Sequence, residues 1–396
     1  MDSRDRRRVG NVRGPDVHER CWADHRFTIY RALERRTARA IALISVAVVV
    51  MVVAAVAYLR PFAPAVPGGA AVGATPSPTT VPRLGGDYVP AFFFIDPKRG
   101  WSLVVDRVAN QRFWIFATSD GAAHWKRQLT GAASRGPAYL RFFDSLRGFA
   151  YAGSLYRTLD GGSTWQLMRT PPGGPNLVFA SANKGWNLGD RLYATDDGGG
   201  TWKPVDSPLP PSVTGDLAFR DDGEGWLGAA LETPTVYHTL DGGTSWTPVT
   251  IPVGEPGVPE YPTIVRLLPG GAVLAIVASP SGFVGGYVSG NRGASWRGVR
   301  ALPEPEWVAD ASFIDASNWW VSRYGFLYKT PNAGQNWTRV DVEPLPTGWN
   351  IDPVHALDDS HGWWTMTATT DSRDSALMMT SDGGSTWRAV AMPTPS

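Results

Sequence analysis

Carboxylates are the side chains whose spacing in this sequence most suggests chemistry, and they fall into two sets. One set recurs inside segments of the form (S/T)x(D/N)xGxxW: TSDGAAHW, in which Ala122 stands at the Gly position, TLDGGSTW, TDDGGGTW, TLDGGTSW, SGNRGASW, TPNAGQNW and TSDGGSTW. Their third positions are Asp120, Asp160, Asp197, Asp241, Asn291, Asn332 and Asp382, and they close on Trp125, Trp165, Trp202, Trp246, Trp296, Trp337 and Trp387. The other set lies in acidic turns: Asp96, Asp144, Asp221, Asp222, Glu224, Asp315, Asp358 and Asp359. Runs such as DDGGG look metal-like, and two carboxylates about 5 to 10 Å apart are what glycoside hydrolysis needs. Seven copies of one motif cannot all line one site, however, and a calcium loop needs more oxygen ligands at defined spacing. The first set therefore reads as turns. The Asp or Asn accepts hydrogen bonds from backbone N–H groups just ahead, Gly supplies the backbone angles, and Trp fills space where the outer strand opens. The second set reads as solvated turn acids, with a facing pair among them as the route to a hydrolase.

The elements that carry these turns repeat. The motif tryptophans recur at intervals of 40, 37, 44, 50, 41 and 50 residues. Ahead of each motif stands an apolar strand, an acidic turn and a Gly-aromatic pair, as in FFFIDPKRGW (92 to 101) and HALDDSHGWW (355 to 364); the fifth repeat, RLLPGGAVLAIV, lacks the aromatic. The unit reads as four short strands, for example LVFA, GWNLG, RLYAT and TWKPV between residues 177 and 205. Four strands in about 44 residues is the size of a propeller blade. The fold expected is all-β: a seven-bladed β-propeller of four-stranded blades over residues 86 to 396, preceded by a single transmembrane helix. With 44 Gly and 33 Pro, turns outweigh long helices.

Residues 40 to 59, AIALISVAVVVMVVAAVAYL, are uninterruptedly apolar. At ~1.5 Å per residue they reach across a bilayer's hydrocarbon core. Arg31, Arg35, Arg36 and Arg39 precede them while only Arg60 follows closely, which puts residues 1 to 39 in the cytoplasm and the propeller outside the cell membrane. A signal peptide cut near Ala55-Val56-Ala57 is the rival reading, and a 39-residue basic leader is long for one. Residues 60 to 85, rich in Pro, Gly and Ala, read as a tether. Residues 1 to 39 hold 11 Arg and 6 acids, whereas the chain from residue 61 holds 25 basic and 30 acidic side chains. That net −5 argues against a nucleic-acid partner for the main body. The single cysteine, Cys21, excludes an internal disulfide framework, and the six His residues show no metal-ligand spacing, so no metal or cofactor is expected. No nucleophile elbow, P-loop or dinucleotide turn stands in a suitable context. Asn336-Trp337-Thr338 matches a glycosylation sequon inside a repeat turn.

The repeated motif resembles the Asp-box, or BNR repeat, of sialidases, xyloglucan hydrolases, sortilin-type receptors and the photosystem II assembly and stability factors. F-x-D-x-x-x-G-W followed by T-x-D-G-G-x-T-W is most similar to the last group, and the resemblance covers residues 86 to 396. It implies one seven-bladed propeller whose basic patch contacts a client protein. The Arg-Ile-Pro tripeptide of sialidases is absent, and the length suits one propeller rather than the two of xyloglucan hydrolases. The resulting expectation is a membrane-anchored, non-catalytic scaffold that binds protein. The alternative is a membrane-anchored glycan-binding protein or glycoside hydrolase. Candidate binding residues are Arg141, Arg147, Arg191, Arg266 and Arg323, with Arg99 beside them, and Tyr261 and Trp349 as aromatic anchors.

Overall fold

The computed structural model describes residues 81–85, 88–106, 111–134, 138–172, 176–209, 215–229, 233–253, 263–279, 282–300, 311–323, 326–340, 348–369 and 374–395. The basic segment 1–39, the apolar run 40–59 and most of the tether lie outside them. Among the described residues no helix is long and apolar enough to cross a membrane.

These residues form seven four-stranded antiparallel sheets, each a meander of consecutive strands. The chain is a seven-bladed β-propeller, as the repeat predicts. Blades 1 to 7 begin at Tyr88, Tyr139, Leu177, Gly215, Thr263, Ser312 and Trp349. Blade 2 shows the pattern: Tyr139–Phe142, Gly148–Tyr151, Leu155–Thr158 and Gln166–Leu167. The turns between first and second strands, and between third and fourth, lie at one end of every blade. The connections between second and third strands, and between blades, lie at the other.

Aromatic rings fasten the blades. In blade 2, Phe142 ends the first strand, pairs with Gly148, and lies flat on Trp101 from blade 1 (3.5 Å between centroids, 9° between planes). Its edge meets Trp165 of its own blade at 5.9 Å and 90°. The same flat stack joins Phe149 to Phe179, Trp186 to Phe219, and Trp363 of blade 7 to Phe94 of blade 1 (3.9 Å, 8°). The last of these closes the ring. A Cβ on Gly100 would sit 2.3 Å from the Phe94 ring, so the Gly before the aromatic is the space that lets the phenylalanine lie across it. Blade 6 carries Trp319 in that place, and Phe313 is turned edge-on to it at 87°.

Two local departures have physical reasons. The fourth strand opens one residue after the motif tryptophan rather than at it, at Lys126, Gln166, Lys203, Thr247, Arg297, Thr338 and Arg388. In blade 2 the indole of Trp165 is turned inward against the blade's own Phe142, and pairing with the third strand resumes only beyond it; in blade 5 Trp296 meets Trp226 of blade 4 instead. In blade 5, Pro269–Gly271 form a 3-10 turn in place of the acidic turn, with Val273 and Leu274 buried where other blades place Gly and an aromatic. Ahead of blade 1, Leu84 pairs with Ser375 of blade 7, each donating its N–H to the other's carbonyl at 2.8 Å. Leu84 is buried in the core shared by blades 1 and 7.

Candidate functional site

The repeated turns are built from side chain to backbone. In blade 2 the Thr158 hydroxyl donates to Asp160 Oδ1 (2.9 Å) and accepts the Gly162 N–H (2.8 Å). Asp160 also accepts the Thr164 N–H (2.8 Å) and hydroxyl (2.6 Å). The Gly161 N–H donates to Leu146 O at 2.8 Å, which binds this turn to the first turn of the same blade. Gly161 has φ 73°, and a Cβ there would meet Ser145 O at 2.7 Å. The same threonine or serine bridge recurs at Asp120, Asp197, Asp241, Asn291, Asn332 and Asp382. The tryptophans are half-buried, and several latch to a neighbouring blade: Trp125 donates to Ala391 O (2.8 Å), Trp246 to Ser207 Oγ (3.1 Å) and Trp337 to Arg300 O (3.0 Å). Hydrogen bonds hold four of the aspartates at about 2: first from the His124 side chain for Asp120, the Thr201 N–H for Asp197, the Ser245 hydroxyl for Asp241 and the Thr386 hydroxyl for Asp382.

The acids of the first turns are also taken up locally. Asp96 accepts the Lys98 and Arg99 N–H groups (both 2.8 Å) and Arg99 Nε. Asp144 does the same with Leu146 and Arg147, Asp315 with Ser317 and Asn318, and Asp358 with Ser360 and His361. Asp315 is lowered chiefly by the Asn318 side chain. A hydrolase needs a carboxyl that keeps its proton near neutral pH. These carboxyls are shifted the other way, toward the ionised form.

Glu224 is held differently. Its side chain is 8% exposed and lies 3.2 Å from His238 Nε2, 3.7 Å from Arg220 Nε and 3.5 Å from Arg292 Nε. His238 stacks on Trp226 at 4.1 Å, and burial foremost lowers its pKa. Arg292 stands where most repeats have Gly and keeps the left-handed backbone, φ 56°. Arg220 reaches on to Ala272 O (3.0 Å). This polar group ties blade 4 to blade 5, where Trp296 meets Trp226 edge-on (6.1 Å, 81°) in place of a flat stack. Its signal in the sequence was the Arg in SGNRGASW, which the motif reading passed over.

Among the described residues the candidate arginines are spread over both ends of the disc and over first strands. Arg147 lies at the repeated-turn end, ion-paired with Asp144 (2.6 Å). Arg191 lies at the opposite end, 3.7 Å from Asp190. Arg141 and Arg266 lie on first strands: Arg141 sits 5.2 Å over the Phe143 ring, and Arg266 pairs with Asp216 of blade 4 at 2.6 Å. Trp349, half-buried, lies under Arg83 at 5.0 Å. Tyr261 and the side chain of Arg323 lie outside the described residues. What the sequence reading missed is apolar: Leu146 and Leu159, each 54% exposed, stand on the two joined turns of blade 2. Among the described residues no group of three or more His, Cys, Asp or Glu is placed to hold a metal ion.

No family model matches the chain, and no curated protein matches it in sequence. Among solved structures it is similar to YCF48 bound to a D1 peptide, at TM-score 0.50 and 16% identity over 79% of this chain and 100% of that one. A puromycin-hydrolysing peptidase of Mycobacterium tuberculosis gives TM-score 0.53 and 14% identity over 78% of this chain and 53% of the peptidase. The xyloglucanase of family GH74 from Xanthomonas campestris gives TM-score 0.48 and 15% identity over 76% and 54%. The chain thus spans about half of either enzyme. At these identities the likeness is one of propeller fold, which hosts binding proteins and enzymes alike.

Proposed function

We propose that the chain is a membrane-anchored, non-catalytic Asp-box propeller that binds protein as an assembly scaffold on the outer side of the membrane. The observation that supports this reading is the geometry of four of the eight turn acids: Asp96, Asp144, Asp315 and Asp358 each accept two backbone N–H groups of their own turn, which favours the ionised form over one that donates a proton. The anchor rests on the apolar run 40 to 59 and the arginines before it. A fold-mate bound to a peptide is in keeping with a protein partner. The test is cross-linking of the full-length chain in its own membranes, followed by identification of what is attached, beside a glycan array and a panel of glycoside substrates. A reproducible protein adduct with no glycan turnover is the expected result. Glycan hydrolysis that disappears when one of the turn acids is replaced by its amide would overturn the reading.

A further inference from the structure

Val81, Pro82, Arg83 and Leu84, the last part of the tether, lie across blade 7 at the end where the third strand opens. Blade 7 leaves a place for them. Its third strand is Ser375–Thr380, but its fourth, Arg388–Val390, pairs no further along it than Leu377. Ser375 is paired with Thr367 of the second strand on one side, and Leu84 takes the other side with two backbone hydrogen bonds of 2.8 Å. An extended segment is thus added to an open sheet edge. Side chains then fix it. Leu84 is 2% exposed in the core of blades 1 and 7 that holds Val104, Trp114 and Leu377, and Val81 packs against the core of blades 6 and 7 that holds Trp320 and Trp364. Arg83 lies 5.0 Å over Trp349 and 3.6 Å from Asp374. Pro82 is exposed, has no N–H to leave unpaired, and favours the extended form of Val81 before it.

Blade 7 has four strands without this segment, and the Trp363–Phe94 stack joins it to blade 1 through other residues. What Val81 to Leu84 add is one strand edge, one enclosed leucine, one half-buried valine and one cation over a ring. Those are the contacts by which a peptide ligand is held. We propose that this edge of blade 7 is a recognition slot for an extended segment in which an apolar residue, Pro, a cation and Leu follow one another, and that the tether fills it in cis. Main-chain bonds to Ser375 supply the hold, the enclosed leucine supplies the shape, and Trp349 with Asp374 select a cation at the third place. A partner's segment of that pattern competes with a tether held beside the slot at an effective concentration in the millimolar range, so the tether sets how readily the slot is entered. The slot does not depend on the scaffold reading, since an enzyme would hold it equally.

The test uses the full chain in neutral detergent and a fluorescein-labelled peptide with the sequence of residues 79 to 86, TTVPRLGG. Arg83→Glu with Leu84→Ser frees the slot of the tether. The freed chain is expected to bind the peptide at least tenfold more tightly than the native chain does, and at least tenfold more tightly than it binds a peptide carrying the same two changes. Adding Asp374→Lys should weaken that binding about tenfold, and saturating peptide should restore melting temperature lost to the two changes. In the native chain, hydrogen exchange at Leu84 and Ser375 should run at least tenfold faster than at Leu377 and Met379, which lie on the same edge but pair with the fourth strand, because a bound segment opens without its blade. Equal binding by the native and freed chains, equal binding of the two peptides, or no binding to a folded freed chain would overturn the proposal. If the freed chain does not fold, the exchange measurement decides alone: exchange of Leu84 in step with Leu377 would make the segment core rather than ligand. A cross-linking search that finds no protein partner bears on the scaffold reading and leaves the slot standing.

Discussion

Replacing Trp363 with alanine tests whether blade 7 is fastened to blade 1 as firmly as any interior pair of blades. Trp363 is 1% exposed and stacks on Phe94 at 3.9 Å and 8°. Truncating a buried tryptophan costs about 3–5 kcal/mol, of which the ring stack accounts for roughly 1. The reference is Trp186→Ala at the seam of blades 3 and 4, where the stack has the same form (4.0 Å, 6°) and the indole also donates to Gly242 O at 3.0 Å. That bond adds about 1 kcal/mol. For a body of about 310 residues the unfolding entropy is on the order of 0.65 kcal/mol/K, so each kcal/mol moves the melting temperature by about 1.5 °C. Losses of about 6 °C for Trp363→Ala and about 7 °C for Trp186→Ala are expected, read by scanning calorimetry on the full chain. A loss under about 1 °C at Trp363, with the full loss at Trp186, would mean that the ring is not closed by this stack.

Two further outcomes follow from the repeated turns. Thr158→Val keeps the shape but removes the donor to Asp160 and orphans the buried Gly162 N–H, and should cost about 2 kcal/mol in urea unfolding, whereas Thr158→Ser should stay within about 1. Equal losses for both would show that the hydroxyl is not the fastener. Asp120, Asp197, Asp241 and Asp382 lie at about 2, below their ordinary 3.8, so the folded state favours their ionised forms. Their contribution is complete above the ordinary value and is lost as pH falls from about 4 toward 2. The urea midpoint should hold between pH 7 and 5 and fall below about 4, and Asp382→Asn should shallow that fall, since Asn291 and Asn332 make the same turn uncharged. A midpoint insensitive to acid in that range would refute the account.

The seven-fold repeat made the blades legible because each must satisfy the same local demand, a turn closed by Thr or Ser with Asp or Asn and followed by a half-buried tryptophan. The fifth repeat was legible as a departure but not in its remedy. Glu224, His238 and Arg292 are separated by up to 68 residues, and no spacing rule brings the three together. The placement of the arginines was not legible for the same reason. Arg147 and Arg191 are near in sequence, yet strand direction sends them to opposite ends of the disc, and Asp144 and Asp190 lie beside them.

The sequence by itself determined what depends on neighbours along the chain: turn chemistry, strand number, blade count, and an apolar run long enough for a bilayer. Tertiary structure alone decided what depends on neighbours around the ring. It stacked Trp363 on Phe94, set Leu84 into the seam it helps to fill, and left Leu146 and Leu159 in water beside Arg147. Whether an apolar side chain is core or surface is fixed by which blade lies over it, and that contact spans up to the whole length of the propeller.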